Sequence, residues 1–308
     1  MTHTPRFGRL LTAMVTPFKE DNSLDIPRIS KLATMLMEND IAKGSDGLIV
    51  NGTTGESPTI SRDERCQLFE TVIDAVDPSV PLVANVGDNC TADSVEFAKR
   101  VTALKGGRLN GIMVVTPYFN KPPQEGIYQH MRAVAEAVDV PVVVYNIPGR
   151  SVENIEPETI IRLATDVPNI LGLKQANDDI AQLKTIAENT PDDFEIFAGD
   201  DSFTLPVLQH GGVGVISTIG NIAAGPMSCM IKAYVDGDFE TAKRIDQILR
   251  PLQNQLFTTA NPILVKRALA LLDFPVGGVR LPLVNATEEQ SAALLEVMND
   301  TFRRLDEL

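Results

Sequence analysis

The sequence predicts an α/β fold, a (β/α)8 TIM barrel followed by a C-terminal helical extension. Three observations support this prediction. Short apolar runs recur along the chain, segments with helical periodicity separate them, and no GxGxxG motif opens the first strand–helix unit. Continuous apolar runs are typical of parallel strands that are buried on both faces. Because the glycine motif is missing, a doubly wound sheet of eight strands is the less favoured alternative.

Eight predicted strands account for the barrel. Each is an apolar or β-branched run bounded by turn residues, and a segment with helical spacing of its apolar residues follows. The runs begin near residue 10 and at residues 47, 81, 111, 141, 169, 194 and 212. In a barrel of this kind the active site lies at the carboxyl ends of the strands. Reactive side chains are therefore expected where these runs end.

The helix patterns supply the second half of each unit. The first helix has an apolar stripe with the spacing of a helix packed on a core, formed by Ile29, Leu32, Leu36 and Met37. The next helix begins with Ser61 and Glu64, which fit a capping box in which each side chain satisfies a backbone amide at the helix start. These signals place helices between the predicted strands.

The chain after the eighth unit is also predicted to be helical. Thr287 and Gln290 fit another capping box ahead of the last helix. No linker rich in proline, glycine or serine separates this part from the preceding residues. We therefore predict a barrel catalytic domain over residues 1–235 and a helical region over residues 236–308 that packs on the barrel.

Composition and charge disfavour several classes of function. The chain has 308 residues, 44% hydrophobic and 22% charged, as in ordinary globular proteins. Its net charge of −14 would repel a phosphate backbone, so we predict no nucleic-acid partner. The sequence has no apolar stretch long enough to span a bilayer, and because its start lacks an apolar run we predict no secretory signal. Its three scattered cysteines indicate a reducing compartment. We predict a cytoplasmic protein that binds no membrane.

Lys174 closes the apolar run that begins at residue 169, where the sixth strand is predicted to end. Two interpretations are open. Its ammonium group could reach into solvent while the stem covers apolar surface. Alternatively, enclosure within the barrel would favour the neutral amine, which can attack a carbonyl and form a Schiff base. Its place at the catalytic end of a strand gives the second interpretation its weight.

Four more candidate side chains stand at or just beyond predicted strand ends. Tyr145 ends the fifth strand and is either a strand-forming aromatic or a proton donor and acceptor. Arg150 follows a Pro-Gly turn and is either a solvated arginine or a fork for a carboxylate. Thr53 and Thr54 lie between two glycines after the second strand. Hydroxyls and amides there serve a helix start and an anion site equally well.

Metal ligands are poorly supplied at these strand ends. The three histidines form no HxxxH pair. Asp200 and Asp201 are interpreted as structural or helix-capping residues. The glycine-rich run at the eighth strand is compatible with phosphate binding and with close packing. We predict no metal and no other cofactor. A lysine, a tyrosine, two threonines and an arginine point to carbon–carbon bond chemistry through an imine.

Several motifs together resemble one known family. The segments GTTGES, VTPYFNKP, YNIPGRS, GLKQA and GGVGVIS occur in the order and spacing of the dihydrodipicolinate synthase / N-acetylneuraminate lyase family, and the resemblance covers nearly the whole chain. Within that family the chain is most similar to the synthase branch. It has GTTGE where sialic-acid lyases resemble GSTGE, and Arg150 follows the fifth-strand tyrosine.

The resemblance implies a reaction and its catalytic residues. The expected enzyme is a lyase that condenses pyruvate with aspartate semialdehyde in lysine and diaminopimelate biosynthesis, and the family is typically a homotetramer built from tight dimers. By resemblance, Lys174 forms the Schiff base with pyruvate, Tyr145 shuttles protons, and Thr53 belongs to the proton relay.

The resemblance also implies binding residues. Thr54 would hold the pyruvate carboxylate, the backbone at Ile216 would line the same site, and Arg150 would bind the carboxylate of aspartate semialdehyde at the mouth. Phe119 departs from the family, which has a relay tyrosine there, donated across the tight-dimer interface. A phenyl ring cannot pass a proton, so a water or Tyr118 would substitute, turnover would be slower, or the aldehyde partner would differ.

Two other functions and one regulatory property remain as expectations. The alternatives are another pyruvate-dependent lyase or aldolase of the same family, acting on a sugar acid or a related 2-oxo acid, and a non-catalytic regulator that binds pyruvate or lysine.

Arg62 and Arg65 stand where lysine-sensitive members often carry histidines. Two further cations near a cationic effector should weaken its binding. The sequence therefore predicts weak or absent inhibition by lysine.

Overall fold

The computed structural model describes residues 4–38 and 44–308. Its strands are β1 (Leu10–Ala13), β2 (Gly47–Val50), β3 (Leu82–Asn85), β4 (Gly111–Val115), β5 (Val142–Asn146), β6 (Ile170–Gln175), β7 (Glu195–Ala198) and β8 (Gly214–Ser217). Pairing is parallel between β1 and β2 and from β3 through β8 in succession. The eight strands follow chain order around a closed barrel. The predicted (β/α)8 fold is confirmed, with one strand in each predicted run.

Helices follow the strands as the periodicity predicts. They are α1 (Ile26–Glu38), α2 (Arg62–Ala75), α3 (Thr91–Thr102), α4 (Gln124–Ala135), α5 (Pro148–Ser151), α6 (Pro157–Asp166), α7 (Ile180–Asn189), α8 (Thr204–Gln209), α9 (Gly220–Val235), α10 (Phe239–Leu256), α11 (Ile263–Leu271) and α12 (Glu288–Asp306). The last three form the predicted C-terminal helical extension. Within the described part of the chain, every helix is too short or too polar to cross a membrane.

The chain divides into two compact units, each assembled from two segments. The first unit contains the N-terminal segment that ends at Arg9 together with Pro81–Ile216, and the second contains Leu10–Val80 together with Ser217–Leu308. The predicted domain boundary at residue 235 stays a prediction.

In the first unit, α3 packs on α4, α4 on α6, and α6 on α7. Tyr128 of α4 is almost fully buried, and its hydroxyl donates to Asp166 at 2.9 Å while the Arg162 guanidinium lies 3.5 Å from its ring centre. At the start of β8, a Cβ added to Gly214 would lie 1.8 Å from the carbonyl oxygen of Arg9. Only glycine allows the backbone to approach so closely at this point.

In the second unit, α1 packs on α2, α9 on β1, and α10 on both α9 and α12. In the predicted stripe of α1, Ile29, Leu32 and Leu36 are fully buried, whereas Met37 is partly exposed. Both predicted capping boxes are confirmed, at the starts of α2 and α12. The Glu64 carboxylate of the first box also binds Arg280. That guanidinium, helped by the Ser61 hydrogen bonds, lowers the pKa of Glu64 from 4.5 to about 2.

Candidate active site

Lys174 and Tyr145 lie side by side at the carboxyl ends of β6 and β5. The two residues are register partners across the parallel pair. Lys174 is only 6% exposed and Tyr145 is 3% exposed. The Lys174 Nζ atom lies 4.3 Å from the centre of the Tyr145 ring. Lysine is rarely buried to this degree in proteins. An enclosed amine next to a phenol is a suitable arrangement for nucleophilic attack assisted by proton transfer.

Side-chain amides tie the ends of the same two strands together. Asn146 and Gln175, which directly follow Tyr145 and Lys174, are fully buried. The Asn146 amide donates to Gln175 Oε1 at 3.2 Å and to Asn154 Oδ1 at 2.8 Å. Buried polar groups that satisfy one another in this way rigidify their surroundings. The network is made of neutral amides, so it holds the two strand ends without adding a charge.

The end of β4 supports Tyr145 from the other side. The Thr116 hydroxyl and the Thr116 amide each donate to the Tyr145 carbonyl at 2.9 Å. Beyond it, Phe119 is 87% exposed and has a φ of 73°. A left-handed backbone is rare for an aromatic residue. The high exposure shows that the phenyl ring of Phe119 lies in solvent at this loop.

The remaining predicted residues of the first unit lie on β8 and after β5. Ile216 is buried within β8, two residues after Gly214. Arg150 lies in the single turn of α5, where its side chain is exposed. An exposed guanidinium close to the end of β5 is accessible to an anionic group from solvent. Asp200, as predicted, has a capping role, because its carboxylate accepts from the Ser202 amide at 2.8 Å.

Thr53 and Thr54 form a tight loop after β2 in the second unit. The Gly52 carbonyl accepts from the Gly55 amide at 3.0 Å, and the Thr53 carbonyl accepts from the Glu56 amide at the same distance. Thr54 is 3% exposed, whereas Thr53 is partly exposed. The loop ends at Glu56 in the left-handed region with a φ of 59°.

Side chains from after β8 contact this loop, although no sequence pattern predicted these contacts. Asn261 Nδ2 donates to Thr54 Oγ1 at 2.9 Å, and the Thr218 hydroxyl lies 3.3 Å from the same oxygen. Lys266 of α11 binds Glu56 Oε1 at 2.8 Å and the Thr16 carbonyl at 2.9 Å. The lysine within the apolar segment NPILVKRALALL is the signal that could have indicated this contact.

The two buried lysines of the described residues differ in their surroundings. Lys266, 2% exposed, is held by the Glu56 carboxylate and by carbonyls of Thr16 and Gly278. Burial lowers the pKa of Lys266, although the Glu56 carboxylate opposes that shift. Lys174 instead faces an aromatic ring. Lys266 is fixed as one partner of an ion pair, so Lys174 is the better placed of the two to act as a nucleophile.

Comparison with known proteins decides the family. The model of the dihydrodipicolinate synthetase family matches residues 6–300. The chain belongs to the dihydrodipicolinate synthetase family. The predicted family is thereby confirmed, as is the prediction of an enzyme of the lyase class.

Individual family members are similar over almost their full length. A 4-hydroxy-tetrahydrodipicolinate synthase from Symbiobacterium thermophilum is 50% identical over 96% of this chain and 98% of its own length. The enzyme of that name from Bacillus subtilis is 44% identical over 96% of this chain and 99% of its own. Among solved structures, a dihydrodipicolinate synthase from Cyanidioschyzon merolae with lysine bound is 42% identical, with a TM-score of 0.93 over 97% of this chain and 99% of that one.

Proposed function

We propose that this protein is a 4-hydroxy-tetrahydrodipicolinate synthase that condenses pyruvate with aspartate semialdehyde through a Schiff base on Lys174. The observation that carries the proposal is the buried Lys174 amine 4.3 Å from the Tyr145 ring at neighbouring strand ends of a barrel. The names of relatives at 50% and 44% identity support the choice of substrates. The product would enter lysine and diaminopimelate biosynthesis, and the enzyme would work in the cytoplasm.

The proposed reaction passes through an iminium ion and an enamine and ends with ring closure. The Lys174 amine attacks the keto carbon of pyruvate, and loss of one water gives an iminium ion. The iminium withdraws electrons, a methyl proton leaves, and the resulting enamine carbon attacks the aldehyde carbon of aspartate semialdehyde. The aldehyde oxygen takes a proton. The amino group of the joined chain then attacks the iminium carbon and displaces the Lys174 amine, which closes the ring. Tyr145 would give and take protons in these steps.

The other predicted residues receive binding and relay roles within the proposal. Thr54 would donate its hydroxyl hydrogen to the pyruvate carboxylate, and the backbone at Ile216 would line the same site. Thr53 would pass protons in the relay. Arg150, exposed after β5, would bind the carboxylate of aspartate semialdehyde with its planar fork of donors. The proposal requires no cofactor.

We also propose that the chain assembles as a homotetramer, a dimer of dimers. Phe119, which is 87% exposed after β4, would lie at the tight-dimer interface, because the family donates its relay tyrosine across that interface from the same position. Sedimentation-equilibrium measurements should give four chains per particle. A particle of one chain at micromolar concentration would contradict this assembly.

Borohydride trapping tests the proposed chemistry. Protein incubated with pyruvate and borohydride is digested, and the peptides are mapped by mass spectrometry. We expect a reduced pyruvate adduct on Lys174, none on the buried Lys266, and none in a Lys174→Met control. An adduct on another lysine, or no adduct at all, would show that the mechanism is wrong. Addition of aspartate semialdehyde should then yield the cyclic product.

Phe119 favours a second candidate function. Because the family position normally carries a relay tyrosine, a phenylalanine there is compatible with a pyruvate-dependent aldolase that uses another aldehyde, such as one derived from a sugar acid. The trapping result would be the same for both functions. Turnover with aspartate semialdehyde compared with sugar-derived aldehydes separates them, and a preference for the latter would establish the alternative.

A further inference from the structure

Thr54 is held by a side chain from the distant C-terminal region. Asn261, 207 positions along the chain, directs its Nδ2 atom to Thr54 Oγ1 at 2.9 Å. Thr54 is 3% exposed and Asn261 is 7% exposed, so water competes little for this hydrogen bond. Asn261 precedes α11 and is neither a strand-end residue nor part of the loop that contains Thr54.

The chemistry of this hydrogen bond sets the direction in which Thr54 can donate. A hydroxyl has one hydrogen and two lone pairs, and the Nδ2 group of asparagine can only donate. Asn261 therefore occupies a lone pair of Thr54 Oγ1 and leaves the hydroxyl hydrogen for an acceptor. The neighbouring Thr218 hydroxyl, 3.3 Å away, can give or accept a hydrogen bond. A carboxylate accepts only, so it is the natural partner for the hydrogen that Asn261 leaves available.

Asn261 is itself fixed relative to the Thr54 loop. Two positions after Thr54, the Glu56 carboxylate binds Lys266 Nζ at 2.8 Å, and Lys266 lies five residues after Asn261. The Thr16 hydroxyl donates to the Gly55 carbonyl at 2.7 Å, and the Thr16 carbonyl accepts from Lys266. The segment 261–266 thus contacts the loop at two separate points. Such double attachment leaves little freedom for the Asn261 amide to turn away from Thr54.

We propose that Asn261 is a positioning residue that fixes the Thr54 hydroxyl as a hydrogen-bond donor to the carboxylate of the 2-oxo acid substrate. This role rests on the proposed function, in which Thr54 binds the pyruvate carboxylate. The C-terminal region then takes part in substrate binding through Thr54, although Asn261 does not itself touch the substrate.

The test measures how the trapped adduct depends on pyruvate concentration. Borohydride trapping is repeated over a range of pyruvate concentrations for the wild type and for Asn261→Ala, Thr54→Val and the double variant. We expect Asn261→Ala to raise the half-saturating pyruvate concentration about tenfold, which corresponds to one hydrogen bond. The maximal trapping rate and the half-saturation by aspartate semialdehyde in turnover should change little, which a general loss of structure would not reproduce.

The double variant, one more substitution and a control make the positioning role specific. In the Thr54→Val background, Asn261→Ala should have no additional effect, because residues that act through one contact are not additive. Asn261→Asp keeps the size of the side chain but draws the Thr54 hydrogen toward itself, so it should raise half-saturation at least as much. If Asn261→Ala does not fold, Asn261→Asp still tests the positioning role. Asn285→Ala is the matched control, since its side chain accepts from the Val279 amide in the same region.

The possible outcomes separate the two proposals. An adduct that forms with unchanged half-saturation in both Asn261 variants overturns the positioning role and leaves the Schiff-base chemistry intact. Full additivity with Thr54→Val also overturns it, because Asn261 would then act independently of Thr54. Absence of an adduct in the wild-type protein overturns the proposed function and the positioning role together.

Discussion

Replacing Lys266 with methionine should destabilise the protein strongly. Glu56 is 2% exposed, and its carboxylate accepts from Lys266 Nζ at 2.8 Å and from the Arg280 backbone amide at 2.9 Å. Methionine retains most of the apolar stem but leaves the buried carboxylate with the amide alone. Removing one partner of a buried ion pair costs about 3–5 kcal/mol. At roughly 2 °C per kcal/mol for a chain of this size, we expect the Tm to fall by about 6–10 °C.

A second substitution tests the cause of that loss. In a Glu56→Gln/Lys266→Met double variant, the glutamine oxygen still accepts from the Arg280 amide, and no charge is buried. Replacement of both members of a buried ion pair by neutral groups is often close to neutral. We therefore expect the double variant to recover about 2 kcal/mol of the free energy of unfolding that the single variant loses.

Calorimetry and urea unfolding at one protein concentration and neutral pH measure both effects. Lys232→Met is the matched control, because Lys232 also pairs with an acidic residue, Asp236, but its side chain is 75% exposed. Exposed pairs contribute little to stability, so this control should stay close to the wild type. A Lys266→Met variant as stable as the control, or a double variant no more stable than the single one, would refute the burial argument.

Three further variants have outcomes that follow from single contacts. Phe119→Tyr restores a hydroxyl at the position of the family's relay tyrosine, so steady-state assays should give a higher kcat, and an unchanged kcat would contradict the relay role. Arg280 holds the pKa of Glu64 at about 2, below its ordinary value of 4.5, so the Glu64 carboxylate stabilises the fold at neutral pH. This contribution is lost as the pH falls from 4.5 to about 2. The stability gap between wild type and Glu64→Gln in urea should narrow from about pH 7 to about pH 3, whereas a constant gap would argue against the ion pair. Gly214→Ala places a methyl group 1.8 Å from the Arg9 carbonyl oxygen, so the free energy of unfolding should fall by about 1–3 kcal/mol or more. An unchanged Tm would mean that the backbone at Arg9 moves away from the methyl group at little cost.

The fold and one part of the site could be predicted because their signals are local. Apolar runs and helix starts depend on neighbours within a few residues, so the eight strands and both capping boxes were predictable. Lys174 and Tyr145 each end such a run. Since parallel strands end at one edge of a barrel, their proximity followed from strand counting alone. The structure places them in register with the amine facing the ring.

The surroundings of Thr54 could not be predicted in the same way. Thr54 and Asn261 are separated by 207 positions, and Glu56 and Lys266 by 210. Pairs so distant depend on how the C-terminal helices pack, which no local pattern specifies. A lysine inside an apolar segment is equally compatible with an ammonium group that reaches solvent and with a buried ion pair. The sequence therefore indicated the residues that end strands, but not Asn261 and Lys266, which hold the loop of Thr54 in place.

The interleaving of the two units has a consequence for synthesis on the ribosome. The second unit needs Leu10–Val80 and Ser217–Leu308 at once, whereas nearly all of the first is a single stretch, Pro81–Ile216. Domains generally fold as units while the chain emerges. The loop with Thr53 and Thr54 therefore gains its long-range contacts well after it is made, because Asn261 and Lys266 emerge about two hundred residues later. A nascent chain that stalls before them carries Lys174 and Tyr145 but lacks both contacts to the Thr54 loop, so under the proposed role of Thr54 it would bind pyruvate weakly.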